Sequence, residues 1–314
     1  MTKYIIRRFL GLIPTLLFII ALCFFMIRLA PGGPFDSEKA LPKEILENIE
    51  KKYNMDAPLI MQFGRYVIEL AQGDLGPSFR YHDHNVNELI FGDTLRTSAI
   101  LNSMMLGTIA LSIAILLGVS TGMISALRQN TAFDYIPMSF AIVGISVPTF
   151  VTGPVLMYFL ALKFKLLPTS GWIYDQGWGS LIMPAITLSL PFFAFIARLS
   201  RASILEVLRS DYIRTAKAKG LSNFVIMVKH VIKGASLPVV SFLGPAYAGI
   251  LTGSVVIETI FRVPGLGKFF VQSAFNRDYT LIMGTVIVYA TVLIIMNFIV
   301  DIAYSFLDPR VTYK

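Results

Sequence analysis

Six stretches of this chain, residues 9–27, 98–127, 135–162, 181–197, 237–257 and 281–307, are built almost wholly from apolar side chains. Runs of about 20 such residues match the length a helix needs to cross about 30 Å of bilayer hydrocarbon. No water is present there to satisfy the backbone, so each run must close its own N–H and C=O groups within a helix. The pattern predicts an all-α membrane protein with six transmembrane helices. Pro137, Pro148 and Pro154 in the third run, and Pro184 and Pro191 in the fourth, predict kinks. Proline removes a helix hydrogen bond, and neighbouring helices in a bundle can satisfy the carbonyl it frees.

The first run follows Lys3, Arg7 and Arg8, as the core of a signal peptide does. A signal core is only about 7–15 residues long and ends at a small-residue cleavage site, whereas here Arg28 occupies that place. It reads as an uncleaved span. Residues 31–97 are polar, carry eleven acidic and seven basic side chains, and are expected on the outer face. Leu41, Ile45, Leu46, Ile49 and Tyr53, and then Leu59, Ile60, Phe63, Tyr66, Val67 and Leu70, recur at helical spacing. They predict two short amphipathic helices, ended by Gly73, folded into an extracytoplasmic cap. The chain therefore divides into residues 1–97 (first span and cap), 98–307 (five further spans) and a tail, 308–314.

Charge gives the orientation. The segments placed inside hold fourteen Lys and Arg against four acids, Asp134, Glu206, Asp211 and Asp308; the two short outer loops hold five against three. Cytoplasmic loops collect Lys and Arg, so both termini are expected in the cytoplasm. The same rule accounts for the net charge of +8 without nucleic acid as a partner. Trp172 and Trp178 fall in the outer loop 163–180, at the headgroup level that amphipathic rings favour.

Catalytic signals are missing. No G-x-x-x-x-G-K-[ST] loop cradles phosphates; Gly265-Leu266-Gly267-Lys268 has the wrong spacing and lies on the outer side. Cys23 is the single cysteine, so no disulfide or Cys-based metal site closes within one chain. Tyr81-His82-Asp83-His84 has no third and fourth ligand nearby in sequence and reads as a polar turn. Ion-coupled carriers use ionisable groups inside the membrane; here Arg28, Glu258 and Asp301 stand near span ends. The expectation is a transport subunit that is not an enzyme, holds no cofactor, and takes its energy from another chain. An ion-coupled carrier, or a structural subunit of a membrane complex, is the competing reading.

Between the fourth and fifth spans, residues 198–238 carry eight Lys and Arg against Glu206 and Asp211. Ile204, Leu205, Leu208 and Tyr212 form an apolar face at helical spacing. Thr215, Ala216 and Ala218 keep the next turn slim enough for a groove on another protein. Gly220 suits the left-handed position after a helix, and Ser222 suits the N-cap of the next. Two helices meeting at a glycine, each rooted in a span, can act as a lever; on these residues alone, a basic anchoring loop is an equal reading.

The pattern Arg214-Thr215-Ala216-x-x-x-Gly220, followed by Leu237-Pro238, resembles the cytoplasmic EAA loop of binding-protein-dependent ABC importer permeases. Arg214 and Thr215 stand where Glu and Ala often do, as in the peptide and nickel branch. Arg28-Leu29-Ala30-Pro31-Gly32, Glu258-Thr259-Ile260-Phe261, Pro264-Gly265-Leu266-Gly267, Asn276-Arg277-Asp278-Tyr279 and Leu307-Asp308-Pro309-Arg310 extend the resemblance over nearly the whole chain. It implies a type I ABC importer (MetI-like) fold in a bacterial inner membrane. The implied partners are a second homologous permease subunit, two cytoplasmic ATP-binding subunits and a periplasmic or lipid-anchored peptide-binding protein. The implied cargo is oligopeptides, with dipeptides, nickel or murein peptides as alternatives. Asp211, Tyr212, Arg214, Thr215, Ala216, Lys217 and Gly220 are then the coupling helix and its stop, seated in a cleft of the ATPase. Pro148, Pro191, Gly249 and Gly253, on kinked or small-residue faces, are candidates for the translocation path.

Overall fold

Each apolar run is helical. The computed structural model describes residues 2–29, 57–81 and 83–307; the cap helix expected over 41–53, His82 and the tail 308–314 lie outside the described residues. In chain order the helices are α1 (Thr2–Leu29), α2 (Leu59–Ala71), α3 (Val86–Phe91), α4 (Ala99–Leu127), α5 (Ala132–Ser146) and α6 (Thr149–Leu156). They continue with α7 (Ile173–Gln176), α8 (Gly179–Leu208), α9 (Asp211–Ala218), α10 (Asn223–Ile226), α11 (Ile232–Phe261), α12 (Leu266–Asn276) and α13 (Tyr279–Leu307). Two π-helical turns, Met157–Lys163 and Met227–Val231, extend α6 and lead into α11. Five stretches are long and apolar enough to cross a membrane, in α1, α4, α8, Asn223–Leu251 and α13; a sixth span results if α5 and α6 are counted together.

Three boundaries differ from expectation, each for a local reason. The third span is not one kinked helix: α5 and α6 are bent by 108° at a break. Pro148 has no N–H for the α5 ladder and drives Val147 out of the helical region, to φ −93° and ψ 118°. The fourth span does not end at 197, because α8 runs on to Leu208. The partly buried cation beyond that point, Arg201, is neutralised by Asp134, so the helix need not break (distances below). The fifth span reaches Phe261, which takes Glu258 out of the expected outer loop and into α11. There the carboxylate is buried and accepts from the hydroxyls of Ser103 and Ser254, both at 2.7 Å. Burial of such a group requires partners of this kind. Trp172 is also fully buried, and only Trp178 is exposed as a headgroup-level ring should be.

The described residues form two compact units, one drawn from 2–8, 103–263 and 292–307, the other from 9–29, 57–81, 83–102 and 264–291. In the first unit α4 packs tightly on α8 through Gly118 and Gly122, one turn apart. A Cβ on Gly122 would lie 2.6 Å from the carbonyl oxygen of Ala197, and one on Gly118 would lie 2.8 Å from the Ile196 side chain. Small residues four apart let membrane helices approach this closely. Gly122→Ala is expected to cost about 2 kcal/mol through overpacking against backbone that cannot yield. The check is the melting temperature of the purified protein, with Gly11→Ala, where a Cβ meets nothing within 4 Å, as the neutral comparison. On the next face of α8, Ala194 and Ala197 pack with Ala141 of α5.

In the second unit, α2 is the second amphipathic helix the sequence predicts. Tyr66 is buried with Ile20 and Phe24 of α1 and Met283 and Ile287 of α13, while Ile60 and Ile68 are exposed. Arg28 lies over the Phe24 ring at 3.6 Å and donates from Nε to Gln62 Oε1 at 3.0 Å. Asp278, at the start of α13, is buried and accepts from Ser78 Oγ, the N–H groups of Phe79 and Arg80, and the Leu281 N–H. One carboxylate thereby caps a span and gathers the loop before α3.

Candidate functional site

The basic elbow is shorter and more firmly seated than the sequence indicates. α8 ends at Leu208, Ser210 turns the chain with extended backbone, and α9 begins at Asp211. Asp211 in its first turn and Lys217 in its last match the helix dipole. Asp211 also pairs with Arg214 at 3.2 Å, and its carbonyl accepts from Thr215 Oγ1 at 3.0 Å. Both contacts are exposed and add little stability.

The end of α9 is a complete Schellman turn. Gly220 has φ +77°, its N–H donates to the Lys217 carbonyl at 2.9 Å, and the Leu221 N–H donates to the Ala216 carbonyl at 3.3 Å. Ser222 then caps α10, its Oγ accepting from the Val225 N–H at 3.4 Å. The roles read from sequence for Gly220 and Ser222 are those found.

Two residues hold α9 down. Ile213 is 0% exposed and Ala216 6%; they pack with Ala126 of α4, Ile204 of α8, Ile226, Val231, and Ala235 of α11. Three spans therefore converge at one end on this one short helix. Tyr212 crosses the start of α11, where a Cβ on Gly234 would come within 2.9 Å of its hydroxyl. Asp211, Tyr212, Arg214, Thr215, Lys217 and Gly220 are exposed. Ala216 departs from the sequence reading: its methyl group faces this chain's own core. Leu208 and Tyr212 do not share one continuous helical face, because the chain turns at Ser210 between them. Ile213 was missed, although its i, i+3 spacing from Ala216 was a legible signal.

A second feature had no sequence signal. Asp134, at the start of α5, and Arg201, on α8, are 67 residues apart. Arg201 Nε donates to Asp134 Oδ1 at 2.6 Å and Nη2 donates to Oδ2 at 2.7 Å, and the side chains are 28% and 2% exposed. Asp134 Oδ2 also accepts from the Asn130 N–H at 3.0 Å. This bidentate pair fixes the turn between α4 and α5 to α8, two turns before the elbow.

Of the path candidates, Pro148 is exposed at the α5–α6 break, and Pro191 and Gly249 are half-buried on α8 and α11. The Phe192 ring lies 3.5 Å from a Cβ built on Gly249, so α8 packs against α11 there through Phe192. Gly253 is in α11, and its surroundings lie outside the described residues.

Residues 115–313 match the family described as binding-protein-dependent transport system inner membrane component, and residues 1–106 match the N-terminal region of such membrane components. The chain belongs to this family. The permease is 46% identical over 314 residues to the oligopeptide transport system permease protein OppB of Haemophilus influenzae, with both chains covered in full. It is 42% identical over 311 residues to the dipeptide transport system permease protein DppB of Bacillus subtilis, covering 99% of this chain and 98% of that one. Among solved structures it resembles the inward-facing MetNI methionine ABC transporter, with a TM-score of 0.55 over 67% of this chain and 94% of that chain at 16% identity. That likeness identifies the fold as the type I importer (MetI-like) one. The permease is thus a multi-pass inner-membrane protein of the ABC importer class.

Proposed function

We propose that this permease is one of two homologous membrane subunits of an ATP-driven peptide importer, and that force enters it through α9. A periplasmic or lipid-anchored binding protein delivers oligopeptide to the outer face, and two cytoplasmic ATP-binding subunits supply the work. Both termini and the elbow lie in the cytoplasm. The chain itself binds no nucleotide and catalyses no reaction. The observation that carries this reading is the seating of α9. An eight-residue helix is too short to be stable by itself in water, yet this one is fixed to three spans through Ile213 and Ala216 and presents its polar face outward. A displacement of α9 therefore displaces α4, α8 and α11 together. Dipeptide cargo is the second reading, supported by the likeness to a dipeptide permease.

The partner-facing residues are Asp211, Arg214, Thr215 and Lys217, with Tyr212 at the edge and Gly220 as the stop. Exchange of both cations, Arg214→Glu with Lys217→Glu, is expected to weaken ATPase binding about tenfold at low salt, as interface charges do. The loss should shrink in high salt, where such charges are screened. Co-purification of the ATPase across a salt series measures this; undiminished retention at low salt argues against the coupling role. Deletion of the gene should abolish uptake of tri- to pentapeptides, and normal uptake would defeat the oligopeptide assignment. Accumulation of cargo by the isolated chain in liposomes would favour an ion-coupled carrier instead.

A further inference from the structure

The exposed stripes on the spans are not alike. On α5 the exposed side chains at helical spacing are Phe133, Ile136, Phe140 and Val143, and on α1 they are Phe9, Ile13 and Leu17. Those are lipid-facing compositions. On the second half of α8 the exposed stripe is Phe195, Arg198, Ala202 and Glu206. A face with a guanidinium, a carboxylate and a small residue suits water rather than hydrocarbon, where charged side chains turn toward cavities or partners. Among the described residues no carboxylate pairs with Arg198. Its guanidinium lies instead 5.9 Å from the Phe195 ring centre. Phe195 in turn stacks on Phe242 of α11, ring centres 4.1 Å apart and planes inclined 28°. One turn back toward the start of α8, Phe192 lies against Gly249. Arg201, the next turn toward the elbow, is held beside the α4–α5 turn, so Arg198 stands near the cytoplasmic mouth of the bundle.

We propose that the Phe195–Phe242 pair and Arg198 line the inner mouth of the translocation path, and that Arg198 receives the C-terminal carboxylate of the departing peptide. The assignment rests on the peptide-importer reading above. Peptides of different sequence share a backbone, an amino terminus and a terminal carboxylate. Flat aromatic rings contact side chains of any kind, and a planar guanidinium fork matches a carboxylate in two parallel hydrogen bonds. The constellation thus recognises what all peptide cargo has in common. It adds Phe195, Arg198 and Phe242 to the path candidates Pro148, Pro191, Gly249 and Gly253.

Because Cys23 is the single cysteine, Cys23→Ser gives a thiol-free background for the complete transporter. Phe195→Cys and Arg198→Cys, in inside-out vesicles, are expected to react with a membrane-impermeant maleimide more than about tenfold faster than Phe140→Cys, because only a hydrated thiol forms the reactive thiolate. Equal rates would overturn the placement. The second arm compares maximal uptake of one tripeptide with that of its C-terminal amide, with the binding protein saturated. Arg198→Gln should slow the free acid about tenfold, the loss of one charge-assisted contact, and leave the amide unchanged. Arg198→Lys should retain most of the rate for the acid. Equal slowing of acid and amide, or no slowing of either, would overturn the carboxylate contact. Failure of the unaltered transporter to take up either peptide would overturn the cargo reading, and the labelling would still decide whether the stripe faces water.

Discussion

With Ile213 replaced by aspartate, the permease is expected to insert into the membrane and yet fail to retain its ATPase. Ile213 is fully buried in the seat of α9. A carboxylate there would have no hydrogen-bond partner of the kind that makes burial tolerable, at a cost of several kcal/mol. The spans are held by the bilayer and by one another, so the local answer is release of α9 rather than unfolding of the bundle. Detached, the eight-residue helix loses its shape, and the surface offered to the partner goes with it. Two measurements check this: ATPase co-purification should be lost, and protease cleavage at Arg214, Lys217 or Lys219 in inside-out vesicles should accelerate. Ile213→Val, expected to cost only about 0.5–1.5 kcal/mol, should retain both behaviours. By the same geometry, Ala216→Arg would unseat the helix before any partner is met.

The second large effect concerns the buried ion pair. Arg201→Met is expected to destabilise the protein by about 3–5 kcal/mol, the usual consequence of stripping one member from a buried pair. The two members should not be equivalent. Asp134 is 2% exposed and cannot reach water, whereas Arg201 is 28% exposed and can. Asp134→Leu should therefore cost less than Arg201→Met, and the double replacement should recover much of the loss. Thermal inactivation of the detergent-solubilised transporter across the four variants of this cycle gives the answer. A cost for Asp134→Leu equal to that of Arg201→Met would refute the asymmetry.

The fold class was legible because length and apolarity in a bilayer leave almost no alternative to helices. The stop at Gly220 and the cap at Ser222 were legible because each rests on chemistry confined to four or five residues. What escaped was long-range. Nothing local marks Asp134 as the partner of Arg201, so the charges of α8 read as loop rather than as the last turns of a span. Glu258 was misplaced for the same reason, since Ser103 lies 155 residues away. Gly118 and Gly122 carried a local signal, two glycines four apart in an apolar run. Their role needs the facing backbone of Ala197, which spacing does not supply. The elbow's polarity was inverted at one residue: Ala216 looked slim enough to fit a partner, and its small size instead serves close packing inside.

The Schellman turn and the pair Ile213 and Ala216 supply most of the anchoring of α9, which leaves its exposed charged side chains little duty to the fold. On the proposed coupling role, Asp211, Arg214, Thr215 and Lys217 are then open to selection for recognition of the ATPase. A bacterium that houses several related importers needs each membrane subunit to choose its own motor and refuse the rest. On this architecture, trading four side chains between paralogues should be enough to exchange motors without disturbing either scaffold.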